Sequence, residues 1–129
     1  MTGERILVVD DNALNIELAG YVLEAGGFAV DSASDVDAAW ARLRTDRPAL
    51  VLVDIQLPGT DGLSLVRAIK AAPDLAGLPV LAFTAYAMPG DEARFRAAGC
   101  DGYISKPIDV ASFAATVRGH LDGDREVAT

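Results

Sequence analysis

Five polar residues that could do chemistry stand at the ends of short apolar runs in this chain. Asp10 and Asp11 follow the first run, and Asp54 follows the third. Thr84 and Lys106 follow the fourth and the fifth. Three carboxylates, a hydroxyl and an ammonium in one crevice would suit a divalent metal ion together with a phosphoryl group. The elements that carry these residues must therefore bring the ends of the runs together.

Two alternating periodicities predict those elements. Short apolar runs predict strands, and the amphipathic repeats between them predict helices. The predicted strands cover 5–9, 28–32, 49–53, 79–83 and 102–105, and the predicted helices cover about 13–26, 36–45, 61–72, 90–98 and 109–121. The alternation is typical of βαβ units. We expect an α/β, doubly wound (βα)5 flavodoxin-like fold with a five-stranded parallel sheet in the order 2-1-3-4-5, whose more polar second strand lies at an edge.

Signals for helix boundaries support this division. Asn12, Asp35 and Asp109 are predicted N-caps of the first, second and fifth helices, and Asp61 stands at the start of the third. Gly26 and Gly27 end the first helix. Spacings of three and four place several apolar residues on one face of that helix: Leu14, Leu18, Tyr21, Val22 and Ala25.

Composition limits the classes of function. The 129 residues suit one domain, which we place at 1–121 with a short polar tail at 122–129. The net charge of 11 − 19 = −8 opposes binding to nucleic acid and to anionic membranes. The start of the sequence lacks the features of a signal peptide, so we expect a cytoplasmic location. The only cysteine, Cys100, is expected to be a buried structural thiol, and with His120 as the only histidine we expect no histidine-based metal site.

Asp10, Asp11 and Asp54 form the candidate metal site. In the expected strand order the first strand lies beside the third, so these three carboxylates become neighbours. Their mutual repulsion would raise at least one pKa unless a cation were bound. Mg²⁺ prefers oxygen ligands, and the backbone carbonyl of Gln56 could supply one more. The alternative is that Asp10 and Asp11 merely cap the first helix.

The remaining polar residues suit phosphoryl chemistry. The Asp54 carboxylate could act as a nucleophile and form an aspartyl phosphate. Lys106 could pair with Asp54 before this reaction and with a phosphate oxygen after it, and a cis bond to Pro107 would aim the lysine inward. The Thr84 hydroxyl could donate to a phosphate oxygen, and Tyr103 could pack inward as Thr84 moves. Each of these residues taken alone could equally be an ordinary part of a strand or its end.

Together these residues and motifs resemble the receiver domains of response regulators in two-component signalling. The resemblance runs from Ile6 to about Leu121 and rests on Asp10–Asp11, Asp54, Thr84, Tyr103 and Lys106. It implies that a histidine kinase or a histidine phosphotransfer protein donates a phosphoryl group from a phosphohistidine to Asp54 with Mg²⁺ bound. It also implies that Thr84 and Lys106 bind the new oxygens and that Tyr103 carries the change to the surface.

Longer strings are similar to stand-alone receivers of the DivK type and to receivers of hybrid histidine kinases. The methionine start and the absence of a linker favour a stand-alone response regulator, whose output would be binding to a downstream protein. Leu14, Asn15 and Leu18 are the expected docking residues for the kinase or phosphotransfer protein. Ala87, Met88, Pro89 and the 93–98 segment form a second candidate surface for partners.

Two other functions use related chemistry or the same fold. A small phosphatase of the haloacid-dehalogenase type would also use a nucleophilic aspartate and Mg²⁺, but Gln56 stands where such enzymes have a second acid. A flavin-binding electron carrier would need a glycine- and hydroxyl-rich loop after the first strand, and Asp10 and Asp11 would repel its phosphate. Alternatively, the chain is the receiver part of a hybrid histidine kinase.

Overall fold

A five-stranded parallel sheet forms the centre of the computed structural model, which describes residues 4–57, 59–85 and 90–121. The side chain of Thr60 is not described. The strands are β1 (Arg5–Val9), β2 (Ala29–Ala33), β3 (Leu50–Asp54), β4 (Val80–Thr84) and β5 (Gly102–Ser105). They lie in the order β2-β1-β3-β4-β5. The predicted fold class and strand order are therefore confirmed, and the more polar strand β2 is at an edge as expected.

Helices cover both faces of the sheet. They are α1 (Ala13–Ala25), α2 (Val36–Thr45), α3 (Gly62–Ala71), α4 (Asp91–Ala98) and α5 (Phe113–Leu121), with a 3-10 turn at Pro73–Leu75 and a short two-stranded ribbon of Gln56–Leu57 with Thr60–Asp61. One core layer lies under α2, α3 and α4, and the other lies under α1 and α5. None of the helices in the described parts of the chain is long and apolar enough to cross a membrane.

The central strands are apolar on both faces because both faces are covered. In β3, Val51 and Val53 face the layer under α2 and α3, whereas Leu50 and Leu52 face the layer under α1 and α5. The ladders also align the carboxyl ends of the strands. Val9 pairs with Val53 across β1 and β3. The residues that follow these strands therefore meet at one edge of the sheet.

The structure shifts some predicted boundaries. Strands β2, β3 and β4 each begin and end one residue later than predicted, so Asp54 and Thr84 are the last residues of their strands.

Helix α5 begins at Phe113 and not near Asp109. The Asp109 carboxylate accepts a hydrogen bond from the Ala111 N–H, and its carbonyl accepts from the Phe113 N–H. These bonds make a separate turn before the helix, in which Val110 is exposed and contributes nothing to the core.

Helix α1 begins and ends where predicted but faces the other way. The Asn12 side chain accepts from the backbone N–H groups of Leu14 and Asn15, which confirms the N-cap. Of the predicted apolar face only Val22 is buried, while Leu14 is 71% and Tyr21 73% exposed. The buried residues of α1 are Ala19, Val22 and Leu23. The residues that looked like a core-facing stripe thus lie mostly on the surface.

The start of α3 lies directly against the end of β3. The Gly62 N–H donates to the Ile55 carbonyl at 2.9 Å. A β-carbon added to Gly62 would lie 2.7 Å from the Ile55 α-carbon and would also clash with the Asp54 carbonyl oxygen. Only glycine fits between the helix and the backbone that carries Asp54.

We expect Gly62→Ala to destabilise the fold by about 1–3 kcal/mol, because the new methyl group must push α3 away from β3. Gly20→Ala is the matched control, since its β-carbon would lie at an ordinary 3.7 Å from Val30. Alanine in the middle of α1 should stabilise the protein by about 0.5–1 kcal/mol. Urea unfolding of both variants measures the difference, and equal stabilities would contradict the close contact.

Candidate functional site

The predicted site residues meet at the carboxyl edge of the sheet. Carboxylate oxygens of Asp10, Asp11 and Asp54 lie within 4.8 Å of one another. Lys106 follows β5 at the same edge, and its backbone N–H donates to the Thr84 carbonyl at 2.8 Å. Thr84 is buried there, at the end of β4. The edge therefore brings together the three carboxylates, the hydroxyl-bearing residue and the lysine.

Asp10 is fully buried, and its two carboxylate oxygens have different partners. Oδ1 accepts the backbone N–H of Asn12 at 2.9 Å. Oδ2 accepts from the Lys106 ammonium at 2.9 Å and from the Asn15 side-chain amide at 3.4 Å. The backbone N–H of Asp10 donates to the Ala33 carbonyl, which ties the residue to β2. Such a carboxylate is held by the fold in one orientation.

Asp54 is held in a comparable way, by one backbone N–H and the Lys106 ammonium. Its Oδ1 accepts the backbone N–H of Gln56 at 2.9 Å, and its Oδ2 lies 3.2 Å from the Lys106 ammonium. Burial raises the pKa of the Asp54 carboxyl above its usual value, and the Asp10 charge adds to this rise. The Gln56 N–H and Lys106 oppose it. Repulsion was expected to cause the shift, yet loss of solvation is the larger cause.

Lys106 connects the two buried carboxylates. Its ammonium lies within ion-pair distance of both Asp10 and Asp54, and its side chain is only 12% exposed. The predicted pairing with Asp54 is therefore present. The Lys106–Pro107 peptide bond is cis, as predicted. The ammonium also lies 4.9 Å from the centre of the Phe83 ring, a contact that no motif in the sequence indicates.

The charge of the cluster suits a divalent cation. Three ionised carboxylates and one ammonium give −3 + 1 = −2. Asp11 is exposed, so the cluster opens to solvent on one side. The alternative that Asp10 and Asp11 serve to cap α1 does not fit, because the cap is the Asn12 side chain. Gln56 lies at the mouth of the cluster, where its backbone N–H binds Asp54; metal binding by its carbonyl stays a prediction.

The Tyr103 side chain is partly exposed on the surface and is not packed into the core. Its side chain is on β5, 36% exposed, with its ring edge-on to Phe95 at a centroid distance of 6.0 Å. Its proposed movement with Thr84 stays a prediction.

In the second candidate partner surface, Phe95 and Ala98 are buried, whereas Ala93 and Ala97 are exposed. The other members, 87–89, and the predicted tail at 122–129 lie outside the described residues.

Cys100 and His120 lie away from the cluster and play no part in it. Cys100 is buried, and burial raises the pKa of its thiol to about 11. A thiol of this kind is inert at neutral pH, as expected for a structural cysteine. The His120 ring packs against Gly102, at the opposite end of β5 from Lys106.

We expect Asp54→Asn to raise the unfolding temperature in metal-free buffer, because the amide removes a buried charge beside Asp10. The folded-state pKa of Asp54 is raised, so its ionisation opposes folding above that pKa. The gain in unfolding temperature should be complete at pH values above the raised pKa of Asp54. It should vanish as the pH falls below the ordinary pKa of an aspartate carboxyl. Asp35→Asn, an exposed N-cap that asparagine can replace, is the control. A gain that does not change with pH would contradict this account of Asp54.

Comparison with known proteins identifies the family of this chain. Residues 6–118 match the model of the response regulator receiver domain. The chain is 41% identical over 118 residues to the polar-differentiation response regulator DivK of Brucella anthropi, covering 92% of this chain and 96% of that protein. The predicted resemblance of this chain to stand-alone receivers of the DivK type is therefore confirmed.

Solved structures with the same fold include two close in size. A response regulator from Chloroflexus aurantiacus superposes with a TM-score of 0.87 at 27% identity, covering 93% of this chain and 98% of that one. The receiver domain of a signal transduction histidine kinase from Syntrophus aciditrophicus superposes with a TM-score of 0.83 at 31% identity, covering 94% and 92%. With the family match over most of its length, the chain belongs to the response regulator receiver domain family.

Proposed function

We propose that this protein is a cytoplasmic single-domain response regulator that accepts a phosphoryl group on Asp54 from a phosphohistidine in a Mg²⁺-dependent reaction. The observation that carries the proposal is the arrangement around Asp54. Its carboxylate lies 3.2 Å from the Lys106 ammonium and close to the carboxylates of Asp10 and Asp11, all at one edge of the sheet. Phosphorylation then changes which proteins the molecule binds, so the protein acts as a switch and not as an enzyme with turnover.

The transfer requires a nucleophile, a leaving group and neutralised charge. An Asp54 carboxylate oxygen forms a bond to phosphorus while the bond from phosphorus to the donor imidazole nitrogen breaks, and the imidazole keeps that electron pair. Mg²⁺ held by Asp10, Asp11, Asp54 and the Gln56 carbonyl would neutralise the phosphoryl oxygens. Lys106 supplies a positive charge within reach of Asp54. The Gln56 N–H keeps Asp54 Oδ1 oriented.

Phosphorylation changes the charge balance that holds Lys106. An aspartyl phosphate carries more negative charge than the carboxylate and has additional acceptor oxygens. The Lys106 ammonium can then leave Asp10 or Asp54 for a phosphoryl oxygen, and the Thr84 hydroxyl can donate to another. Thr84 is the last residue of β4, which pairs with β5. Tyr103 on β5 is exposed, so a movement of its side chain would alter the surface that a partner contacts. A shift between two populations of β4, β5 and the adjoining helices would alter that surface.

The exposed residues of α1 support the predicted docking site for the phosphodonor. Leu14 and Leu18 are exposed beside the acidic cluster, and Tyr21 continues the stripe along the helix. Exposed leucines adjoining a reaction site are typical of a protein-binding surface. Asn15 differs from them because its side-chain amide contacts Asp10. A histidine kinase or a histidine phosphotransfer protein seated on this stripe would place its phosphohistidine near Asp54.

The receiver of a hybrid histidine kinase would use the same chemistry. The similarity to the receiver domain of the Syntrophus aciditrophicus histidine kinase supports this second candidate function. A phosphatase is less well supported, because Gln56 leaves the sequence without the second acid that such an enzyme would need.

We expect incubation with acetyl phosphate and Mg²⁺ to add the mass of one phosphoryl group to the intact protein. Asp54→Asn should abolish the mass gain, and Asp35→Asn should leave it unchanged. EDTA should prevent it, and Mg²⁺ at about one hundred times its Kd should stabilise the unmodified protein by about 2.7 kcal/mol. No mass gain, or equal gain in Asp54→Asn, would contradict the proposal; steady turnover of a small phosphate ester would support a phosphatase.

We expect Leu14→Ala and Leu18→Ala to slow phosphotransfer from a protein donor but not from acetyl phosphate. The donor protein is the histidine kinase or phosphotransfer protein of the source organism that phosphorylates the unmodified chain fastest. Each substitution removes apolar contact area from the interface, which should lower the rate of phosphotransfer from the protein donor by about tenfold for each leucine. Asn15→Ala should slow both reactions, because Asn15 also orients Asp10. Unchanged transfer from the protein donor in both leucine variants would place docking elsewhere.

A further inference from the structure

Phe83 lies on the strand that Lys106 must cross to reach Asp54. Asp54 on β3 pairs in register with Phe83 on β4, and Phe83 pairs with Ile104 on β5. Residues in register on parallel strands point to the same face of a sheet, as do residues two positions apart on one strand. Lys106 comes directly after β5, and its backbone N–H continues the ladder by donating to the Thr84 carbonyl, so its side chain starts on the face that carries Phe83 and Asp54.

The distance between the strands requires the lysine to pass over β4. Strands β3 and β5 are two strand spacings apart, roughly 9–10 Å. The residue of β4 that occupies this face at the level of Asp54 is Phe83, which is 1% exposed. The Lys106 ammonium lies 4.9 Å from the centre of its ring. An ammonium at this distance from an aromatic face is attracted by the negative charge of the π system, more strongly where water is excluded.

A second aromatic ring fixes the first. Phe113, the first residue of α5, stacks on Phe83 with a centroid distance of 6.1 Å and an interplanar angle of 19°. Both rings are buried. The ring of Phe83 therefore has a packed partner that holds its position.

We propose that Phe83 is a positioning residue for phosphoryl transfer, whose ring holds the Lys106 ammonium between Asp10 and Asp54. This inference rests on the proposed function of Asp54. An aliphatic side chain at position 83 could fill the same core but could not attract the ammonium. The ring thus limits the freedom of a long flexible side chain at the point where charge develops during the transfer.

Fluorinated phenylalanines at position 83 test the proposal with little change of shape. Adding one, two and three fluorine atoms to the ring weakens its negative face step by step. The rate of phosphorylation by acetyl phosphate and Mg²⁺ should fall at each step, by about three- to tenfold over the series. The unfolding temperature should stay close to that of the unmodified protein. A flat series, or a loss of rate that follows a loss of stability, would overturn the proposal.

Phe28 offers a matched control. It is also a buried phenylalanine with a cation over its ring, Arg118 at 4.5 Å, but it precedes β2 at the opposite end of the sheet from Asp54. The same analogues at position 28 should leave the phosphorylation rate unchanged. An equal loss of rate at both positions would mean that fluorination acts through general packing, and this would also overturn the proposal.

An NMR measurement tests the contact separately from the reaction. The side-chain Cε protons of Lys106 should show an upfield ring-current shift that disappears in Phe83→Leu and persists in Phe28→Leu. If the unmodified protein accepts no phosphoryl group, the proposed function fails while this spectrum still decides whether the ring holds the lysine. If the protein is phosphorylated and the spectrum shows no shift, only the inference about Phe83 fails.

Discussion

The arrangement of the whole site depends on two carboxylates that the fold buries side by side. Asp10 and Asp54 end up adjacent because β1 and β3 are neighbours in the sheet. Burial makes each charge costly, and their proximity adds repulsion. Lys106 offsets both effects at once because its ammonium contacts both groups. The pairing of β4 with β5 brings Lys106 to this edge. The charge balance of the site therefore depends on the order of the strands in the sheet.

Much of this arrangement could be predicted from the sequence because parallel strands impose strong local patterns. Continuous apolar runs identified the buried strands, and the polar residue after each run marked the carboxyl edge. A strand order with right-handed crossovers then placed Asp10 beside Asp54. Lys106 could be assigned to the same site because it also follows a strand, although it lies 96 positions from its partner Asp10.

The parts that could not be predicted depend on tertiary packing. Spacing alone shows that Leu14, Leu18 and Tyr21 share a face of α1, but it cannot show that the smaller Ala19 faces the core. The start of α5 was predicted too early because the Asp109 side chain stabilises a separate turn. In the sequence Phe83 is one apolar residue of a predicted strand, and its contact with Lys106 exists only once three strands are assembled.

The contact of Gly62 with the backbone of Asp54 couples the start of α3 to the site. Helix α3 begins against the end of β3 without space for even a methyl group, so the two elements cannot come closer to each other. Asp10 is joined to this side through the pairing of β1 with β3. Lys106 and Thr84 belong to β4, β5 and the segment that follows, which join the same edge through the pairing of β4 with β3. A displacement of the Asp54 backbone toward α3 is therefore blocked by Gly62, and a displacement in the opposite direction would open the contact between α3 and β3.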